Sequence, residues 1–230
     1  MSDLFPTLLW LSVTVVVFFA MDRLAQRLGR PPYLHPVLMA TPILIAVLVL
    51  SGTPYPTYTA STAMLSFLLG PTVVSMAVPI WAQRSTIRRL ALPIALALGA
   101  GAVTAVVSAV GVVWAFGAPV EILASIAPRA TTTPVGMAVA QTLGGIPALA
   151  AVIVIFSGVL GAMVATPLLN AIGVMDYRAR GFAVGVSSHG AGAARAFEVH
   201  PVAGAYAGVG MALNAVATAT ILSVIAGLVR

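Results

Sequence analysis

Long uninterrupted apolar stretches constrain the fold of this chain more than any other feature of its sequence. A helix needs about 20 apolar residues to cross a hydrocarbon core of about 30 Å. Because the apolar residues run continuously and do not alternate with polar ones, they indicate helices and not strands. The mean hydropathy of +1.09 is typical of an integral membrane protein. We therefore predict an all-α, polytopic membrane protein with about six transmembrane helices. The predicted spans are residues 4–21, 33–50, 59–82, 90–116, 146–173 and 201–229.

The arginines predict the orientation of these spans. All 11 basic residues are arginines, and most of them lie in three connections, residues 22–32, 83–90 and 175–181. Basic loops stay on the cytoplasmic side, so we place these connections inside and the N-terminus outside. The first apolar stretch lacks a basic leader and is interpreted as a retained span. We expect a multi-pass protein of the cell inner membrane, embedded in the lipid bilayer, with no nucleic-acid partner.

Residues 119–143 are predicted to form a re-entrant hairpin. If this segment crossed the membrane, Arg178 and Arg180 would lie outside, against the charge rule. Two short helical legs of about ten residues each are too short to span the core. Pro128 and Pro134 favour a turn between the legs, because each removes a backbone donor and disfavours helix at the preceding residue.

Residues 178–199 are predicted to form a second re-entrant hairpin of the same kind. Their middle, "SSHGAG", is again polar, and the two closing prolines, Pro147 and Pro201, are 54 residues apart. Two such units entering from opposite faces form the inverted repeat that transporters use to build a site near the midplane. Charge counting leaves a second possibility open, in which residues 178–199 cross the membrane as a broken helix.

We divide the chain into two functional regions on this basis. Residues 1–117 are expected to be a scaffold of transmembrane helices. It includes a broken helix at 59–82, where Gly70 and Pro71 interrupt the span or merely kink it against a neighbour. Residues 118–230 are expected to carry the site.

The first polar tip, "PRATTTP", is the leading candidate for a ligand site. Ionisable groups at membrane depth are costly and mark function. Arg129 and the hydroxyls of Thr131, Thr132 and Thr133 lie where the positive end of the second short helix suits a small anion, most simply a carboxylate. The alternative is that Arg129 extends to the membrane interface or pairs with Glu121.

The second tip offers Ser187, Ser188 and His189, with Arg195 about two helical turns further on. His189 is a candidate for bonding a substrate oxygen or exchanging a proton, and equally for satisfying only the backbone of the turn. Asn214 lies in the last span, where an amide must find a partner. It is a candidate both for a site ligand and for a contact between helices.

Several familiar catalytic patterns are absent from the sequence. It contains no P-loop, no HExxH or GxSxG motif and no cysteine, so we predict neither an enzyme nor a bound metal or cofactor. Secondary transport and passive conduction remain as the candidate functions.

Four segments of the chain resemble the LrgB/CidB family of bacterial inner-membrane proteins. They are "SFLLGPTVVSMAVP", "APRATTTPVGMAVAQTLGGIPALAAVIVI", "ARGFAVGVSSHGAGAARAFE" and "GVGMALNAVAT". The resemblance implies functional positions at Arg129, Thr132, Thr133, Pro134, His189, Arg195 and Asn214.

The resemblance implies two kinds of function. One is transport of small monocarboxylates such as glycolate, glycerate, lactate or pyruvate, for which we expect an elevator-like movement of the hairpin tips. The other is a holin-like pore or regulator of murein hydrolases and autolysis. It also implies a separately encoded LrgA/CidA-type partner, and we expect a homo-oligomer.

Overall fold

A computed structural model describes residues 4–29, 31, 34, 36–75, 77–82 and 84–229. Every regular element within these residues is a helix, which confirms the all-α class. The helices are α1 (Leu4–Arg27), α2 (Pro36–Ser51), α3 (Tyr55–Ser61), α4 (Ala63–Ser75), α5 (Ala77–Ala82), α6 (Arg84–Arg89), α7 (Ala91–Ala115), α8 (Val120–Ile126), α9 (Thr133–Thr142), α10 (Pro147–Ala171), α11 (Tyr177–Val199) and α12 (Pro201–Val229).

Among the described residues, four helices are long and apolar enough to cross a membrane. They are Phe5–Arg27, Ala91–Ala115, Pro147–Ala171 and Pro201–Gly227. The bent pair α2 and α3, with 119° between its halves, is a fifth candidate for a broken span. Four of the predicted spans therefore correspond to long helices, and a fifth, 33–50, corresponds to the 16-residue helix α2, apart from its residues 33 and 35, which lie outside the described residues.

The predicted span 59–82 is not one helix. The structure divides this range among α3, α4 and α5, and residue 76 lies outside the described residues. Pro71 lies inside α4, so the helix continues through the predicted break at Gly70–Pro71. The break falls instead at Thr62, where α3 ends. Hydropathy predicts that a segment is apolar, but it does not predict where its helices end.

The chain separates into two compact units, residues 1–77 and 78–230. In the first unit α1 packs against α2 and α3. Buried Trp10 meets Tyr58 edge-to-face at 5.6 Å between ring centroids, and the hydroxyls of Thr14 and Tyr58 are 3.1 Å apart. The second unit begins well before residue 118, because α7 packs against α8, α11 and α12. The functional division at 117/118 stays a prediction.

Helices α8 and α9 form the first hairpin. They pack against each other and against α10. The Oγ of Ser125 in the first leg donates to the carbonyl of Glu121 at 2.6 Å and accepts from the N–H of Ile146 at 2.8 Å. This contact joins the inner part of the first leg to the residue that precedes α10. The turn between the legs is residues 127–132.

Helix α11 folds back on itself at His189 and forms the second hairpin. His189 has φ 37° and ψ −126° inside an otherwise helical segment. A Cβ added at Gly192 would lie 2.8 Å from the Cγ1 of Val184, a distance that residues eight apart in a straight helix could not approach. At the base, the rings of Tyr177 and His200 stack at 4.2 Å. The structure therefore favours the hairpin over the crossing helix for residues 178–199.

The long helix α12 shows that the two hairpins point toward each other. Near its start, a side chain at Gly181 would overlap the carbonyl of Ala203. Near its end, Leu222 is clustered with Ala127 and Val139 of the first hairpin. Close backbone approach through small residues is typical of membrane helices. The first hairpin thus packs on the last half of α12 and the second hairpin on the first half.

Helix α10, like α12, contacts both hairpins. The Oγ of Ser157 donates to the carbonyl of Arg129 at the first tip, at 3.2 Å. A methyl group added at Gly161 would overlap the hydroxyl of Ser188 at the second tip. Further along, the carbonyl of Thr166 accepts from Arg180 at the base of the second hairpin, at 3.5 Å. Both tips therefore meet halfway along α10 and α12.

Candidate binding site at the hairpin tips

Asn214 joins the two tips. It is fully buried in the middle of α12. Its Nδ2 donates to the carbonyl of Ala130 at 2.7 Å and to the carbonyl of Val186 at 3.1 Å. Its Oδ1 accepts from the hydroxyl of Thr218 at 3.2 Å. Both N–H donors of the amide are used within the protein. Asn214 therefore holds the two tips together by hydrogen bonds to a backbone carbonyl of each.

Arg129 projects from the first tip toward the second. It is half-buried, and it lines two cavities. Within the described part of the chain its guanidinium makes no hydrogen bond and no ion pair, and Glu121 is exposed. A guanidinium has five donors and no acceptor. Its position therefore leaves a positive, donor-rich group facing open space.

The two cavities that meet at Arg129 lie on either side of the first leg of α11. The cavity on the α10 side, about 490 Å³, is also lined by Ser157, Ser187 and Ser188. The cavity on the α7 side is about 520 Å³. Polar side chains from α7 reach it at Thr104 and Ser108, and Ser187 lines it as well. Arg129 is the charged residue among the described lining of both cavities.

Ser187 and Ser188 supply hydroxyls beside Arg129. Their Oγ atoms are 3.1 Å apart, so either hydroxyl donates to the other. Ser187 is exposed to both cavities and Ser188 is fully buried. The absence of a side chain at Gly161 leaves room for the Ser188 hydroxyl.

His189 forms the second tip and is buried against α10. Its ring lies against Gly158, where an added methyl group would overlap it. Its Nε2 is buried and has no hydrogen-bond partner among the described residues. A positive φ is uncommon outside glycine, and such strain clusters at functional sites. The structure therefore holds an imidazole with a free ring nitrogen between the two tips.

The three threonines of the first tip occupy different environments. Thr131 is fully buried, and its hydroxyl donates to the carbonyl of Pro128 at 2.7 Å. Thr132 precedes α9 as its N-cap residue, without a capping side-chain hydrogen bond. Thr133 is the first residue of α9. Thr131 thus stabilises the turn, while Thr132 and Thr133 stand at the positive end of a helix.

Arg195 is not brought to the cavities that Arg129 lines. Its Nη1 pairs with Glu198 at 2.8 Å on the second leg of α11. It lines a separate small cavity with Arg180. Among the residues predicted for the site, the structure brings Arg129, Ser187, Ser188 and His189 close to the junction of the tips. Asn214 lies directly between the tips.

Sequence reasoning missed four residues around the junction. Ser157 ties α10 to the first tip, and Gly161 makes room for Ser188. Thr104 and Ser108 are one helical turn apart on α7 and face the same cavity. Their spacing at i and i+4 was a readable signal, whereas small residues in α10 look like ordinary helix packing.

The chemistry of the junction favours an anion. It combines a guanidinium, two serine hydroxyls and an imidazole, and no acidic side chain is found in the described lining of either cavity. Arginine binds a carboxylate through two parallel hydrogen bonds. The surrounding apolar lining strengthens this attraction. A small carboxylate or a similar oxyanion fits this set of groups.

The fold and the site define a class of protein: a polytopic membrane protein in which two opposed hairpins bring polar tips together between two long helices. The chain belongs to the LrgB-like family, whose model matches residues 14–228. It is 31% identical over 208 residues to the uncharacterized protein YwbG of Bacillus subtilis (strain 168), covering 90% of this chain and 92% of the relative.

Two further relatives support the membership. The chain is 32% identical over 204 residues to the uncharacterized protein YxaC of Bacillus subtilis (strain 168), covering 89% of this chain and 88% of the relative. It is 28% identical over 225 residues to the holin-like protein CidB of Staphylococcus epidermidis, covering 98% of each chain. No solved structure matches the chain.

Proposed function

We propose that this protein is a secondary carrier of small monocarboxylates, such as glycolate, glycerate, lactate or pyruvate, with its site between the two hairpin tips. One observation carries the proposal: the unpaired guanidinium of Arg129 lies at the junction of two cavities, beside Ser187. A charge in this position is costly unless a ligand compensates it. A monocarboxylate supplies one negative charge and two acceptor oxygens.

Each tip residue has a role in this proposal. Arg129 binds the carboxylate, and Ser187 and Ser188 bond the remaining substrate oxygens. Thr132 and Thr133 add the positive end of α9. His189, with its free Nε2, accepts or delivers a proton during the transport cycle.

The unequal packing on the two sides of the tips supports a carrier over a continuous pore. Both cavities extend from Arg129 along the first leg of α11, which leads to the base of the second hairpin; one lies beside α10 and the other beside α7. On the other side, Ala127, Val139 and Leu222 form a buried apolar cluster. Alternating access requires a site that opens to one side at a time, and opposed repeats supply the second state by moving against a scaffold.

A holin-like pore or regulatory subunit is the second candidate. It is favoured by the name of the CidB relatives, which are described as holin-like. In this reading, oligomers of the chain, together with an LrgA/CidA-type membrane protein, permeabilise or regulate the membrane. The same two partners, a second copy and an LrgA/CidA-type protein, are proposals for the carrier too.

Uptake into liposomes tests the proposal. Purified protein should take up labelled glycolate with saturation and should exchange internal for external substrate. Arg129→Gln should lower uptake at least about 10-fold, because charge-assisted hydrogen bonds are lost, and Arg129→Lys should lower it less. Arg178→Gln, which changes an exposed arginine, is the matched control.

Two results would contradict the carrier. Leakage of unrelated solutes without saturation would favour the pore. Saturable uptake that Arg129→Gln leaves unchanged would mean that the protein is a carrier but that its binding site is not at the tips.

A further inference from the structure

A small cavity lies at the base of the second hairpin, away from the tips. Its volume is about 20 Å³. It lies between both legs of α11, the last part of α10 and the start of α12. Two of its lining residues, Arg180 and Arg195, are cationic, and no acidic residue is found in its described lining. The other lining residues are Ala165, Thr166, Leu169, Gly181, Val184, Ala196, Val199 and Ala203.

Arg180 brings a buried positive charge to this cavity. Only 7% of its surface is exposed. Its Nη1 donates to the carbonyl of Val174 at 3.1 Å, and its Nη2 lies 3.5 Å from the carbonyl of Thr166. The carbonyl of Thr166 lies in the last part of α10 and that of Val174 just after its end, where a positive charge is favourable. They are neutral groups, however, so they stabilise the guanidinium without cancelling its charge.

Arg195 brings a second positive charge and an unused donor. Its Nη1 pairs with Glu198 at 2.8 Å, which balances one of the two arginines. Its Nε is buried and has no hydrogen-bond partner among the described residues. A buried N–H without an acceptor costs free energy, and so does an uncompensated buried charge. The cavity therefore lacks one acceptor and one negative charge.

The size and lining of the cavity determine what can fill it. A volume of at least about 10–15 Å³ holds one water-sized particle, so the 20 Å³ of this cavity matches a single atom and is smaller than a carboxylate with its three heavy atoms. A water would accept from arginine but would bring two donors of its own into a largely apolar lining. A monoatomic anion accepts hydrogen bonds and donates none.

We propose that Arg180 and Arg195 form a binding site for a halide ion, with chloride as the physiological ligand. The bound ion joins the two legs of the second hairpin and fixes them against the end of α10. This inference is independent of the proposed transport substrate, because the site lies at the hairpin base and uses none of the tip residues.

Thermal unfolding in detergent tests this site with the intact protein. The melting temperature is compared in sodium chloride, sodium bromide and sodium gluconate at equal ionic strength, since gluconate is too large for the cavity. Chloride well above its dissociation constant should raise the melting temperature by about 5 °C over gluconate, the size of shift that one occupied site gives in a chain of this length. Bromide should act similarly.

Three variants separate binding from a general salt effect. Arg195→Gln removes one cation, and Ala196→Leu fills the cavity while keeping both arginines; each should abolish the chloride shift. Arg178→Gln, an exposed change near Arg180, should keep it, and so should Arg129→Gln at the tips. The same melting temperature in chloride and gluconate, or an undiminished shift in Ala196→Leu, would overturn the proposal. If Arg195→Gln does not fold, the chloride shifts of the wild type and of Ala196→Leu still test the proposed halide site.

Discussion

The Nδ2 of Asn214 donates a hydrogen bond to the carbonyl of Ala130, 84 residues earlier in the chain, at 2.7 Å. The same nitrogen donates to Val186 in the other hairpin. One amide thus fixes the distance between two backbone tips that belong to different hairpins. Because the candidate site is the space between these tips, Asn214 controls its geometry without facing either cavity.

Removing this amide should destabilise the protein. Asn214→Leu leaves the buried carbonyls of Ala130 and Val186 without donors, and we expect a loss of about 2 kcal/mol in the free energy of unfolding. Asn214→Asp should cost more, because its oxygens would face two carbonyl oxygens. Thermal unfolding in detergent measures both. Asn170→Leu, at an exposed position in the last turn of α10, should stay within about 0.5 kcal/mol of wild type.

A methyl group at Gly161 should disturb the site more than the fold. It would overlap the hydroxyl of Ser188, so Gly161→Ala should displace this serine from the α10 side of the tips and lower glycolate uptake about 10-fold or more. Combining Gly161→Ala with Ser188→Gly removes the overlap and should recover much of the stability that the overlap costs.

Gly99→Ala is the control for this change, because nothing lies within 4 Å of an added Cβ there. It should leave uptake unchanged and stabilise α7 slightly, since alanine has the higher helix propensity. If both glycine substitutions lower uptake equally, the effect at Gly161 does not depend on Ser188.

Two substitutions of His189 should separate backbone strain from side-chain function. At φ 37° and ψ −126° glycine is permitted and alanine is strained. We expect His189→Gly to unfold at a higher temperature than His189→Ala, by about 1 kcal/mol in stability. Both lose the imidazole, so both should lose the pH dependence of uptake that this group contributes. Equal melting temperatures would mean that the turn has relaxed from this conformation.

The sequence predicted the first hairpin, and it left residues 178–199 as either a hairpin or a broken crossing helix, because general membrane physics constrains both segments. Short legs, polar tips and the sidedness of the arginines limit residues 119–143 and 178–199 to a few arrangements. The exact fold-back point was not predictable. In the turn of α11 the residue at positive φ is His189, and neither of the neighbouring glycines, Gly190 and Gly192, has a positive φ. Gly192 lies instead where the two legs approach each other closely.

The site was predictable in its residue types and less so in its contacts. Arg129 could be singled out because a charge at membrane depth is costly. The partners of Asn214 are backbone carbonyls, which leave no mark in the sequence. The pairing of Arg195 with Glu198 follows the i, i+3 spacing on a helix. That spacing is visible in the sequence, and it explains why Arg195 lies away from the tips.

The start of the second hairpin should show a pH-dependent contribution to stability. Asp176 caps α11 by accepting from the N–H of Arg178 at 2.8 Å. The side-chain hydrogen bond from Arg178 lowers the pKa of Asp176 to about 2 from its usual 3.8. A carboxyl whose pKa is lowered by folding stabilises the folded protein above about pH 4, and this contribution is lost as the pH falls toward 2.

Asp176→Ala should therefore lower stability by about 1 kcal/mol at pH 7, mostly through the lost cap, because solvent screens the exposed ion pair. The difference from wild type in thermal unfolding should shrink between pH 4 and pH 2. Asp176→Asn keeps a capping oxygen and should show a smaller difference. A difference from wild type that is as large at pH 2 as at pH 7 would contradict this account.

The two ends of the second hairpin should face the same side of the membrane. Tyr177 stacks on His200, so single cysteines at the nearby exposed positions Met175 and Val199 should react with an impermeant maleimide from the same side. The arginine distribution predicts that this side is cytoplasmic. Gly204, just inside α12, is not used as a labelling position, because the Cβ of a cysteine there would overlap the ring of Phe197.

A cysteine at Phe116, an exposed position just before the first hairpin, is the control for the opposite side. The chain has no cysteine of its own, so each label reports one position. If Met175→Cys and Val199→Cys are labelled from opposite sides, residues 178–199 cross the membrane and the tips do not meet. If both are labelled from the side that labels Phe116→Cys, the hairpins enter from one face and the inverted repeat is wrong.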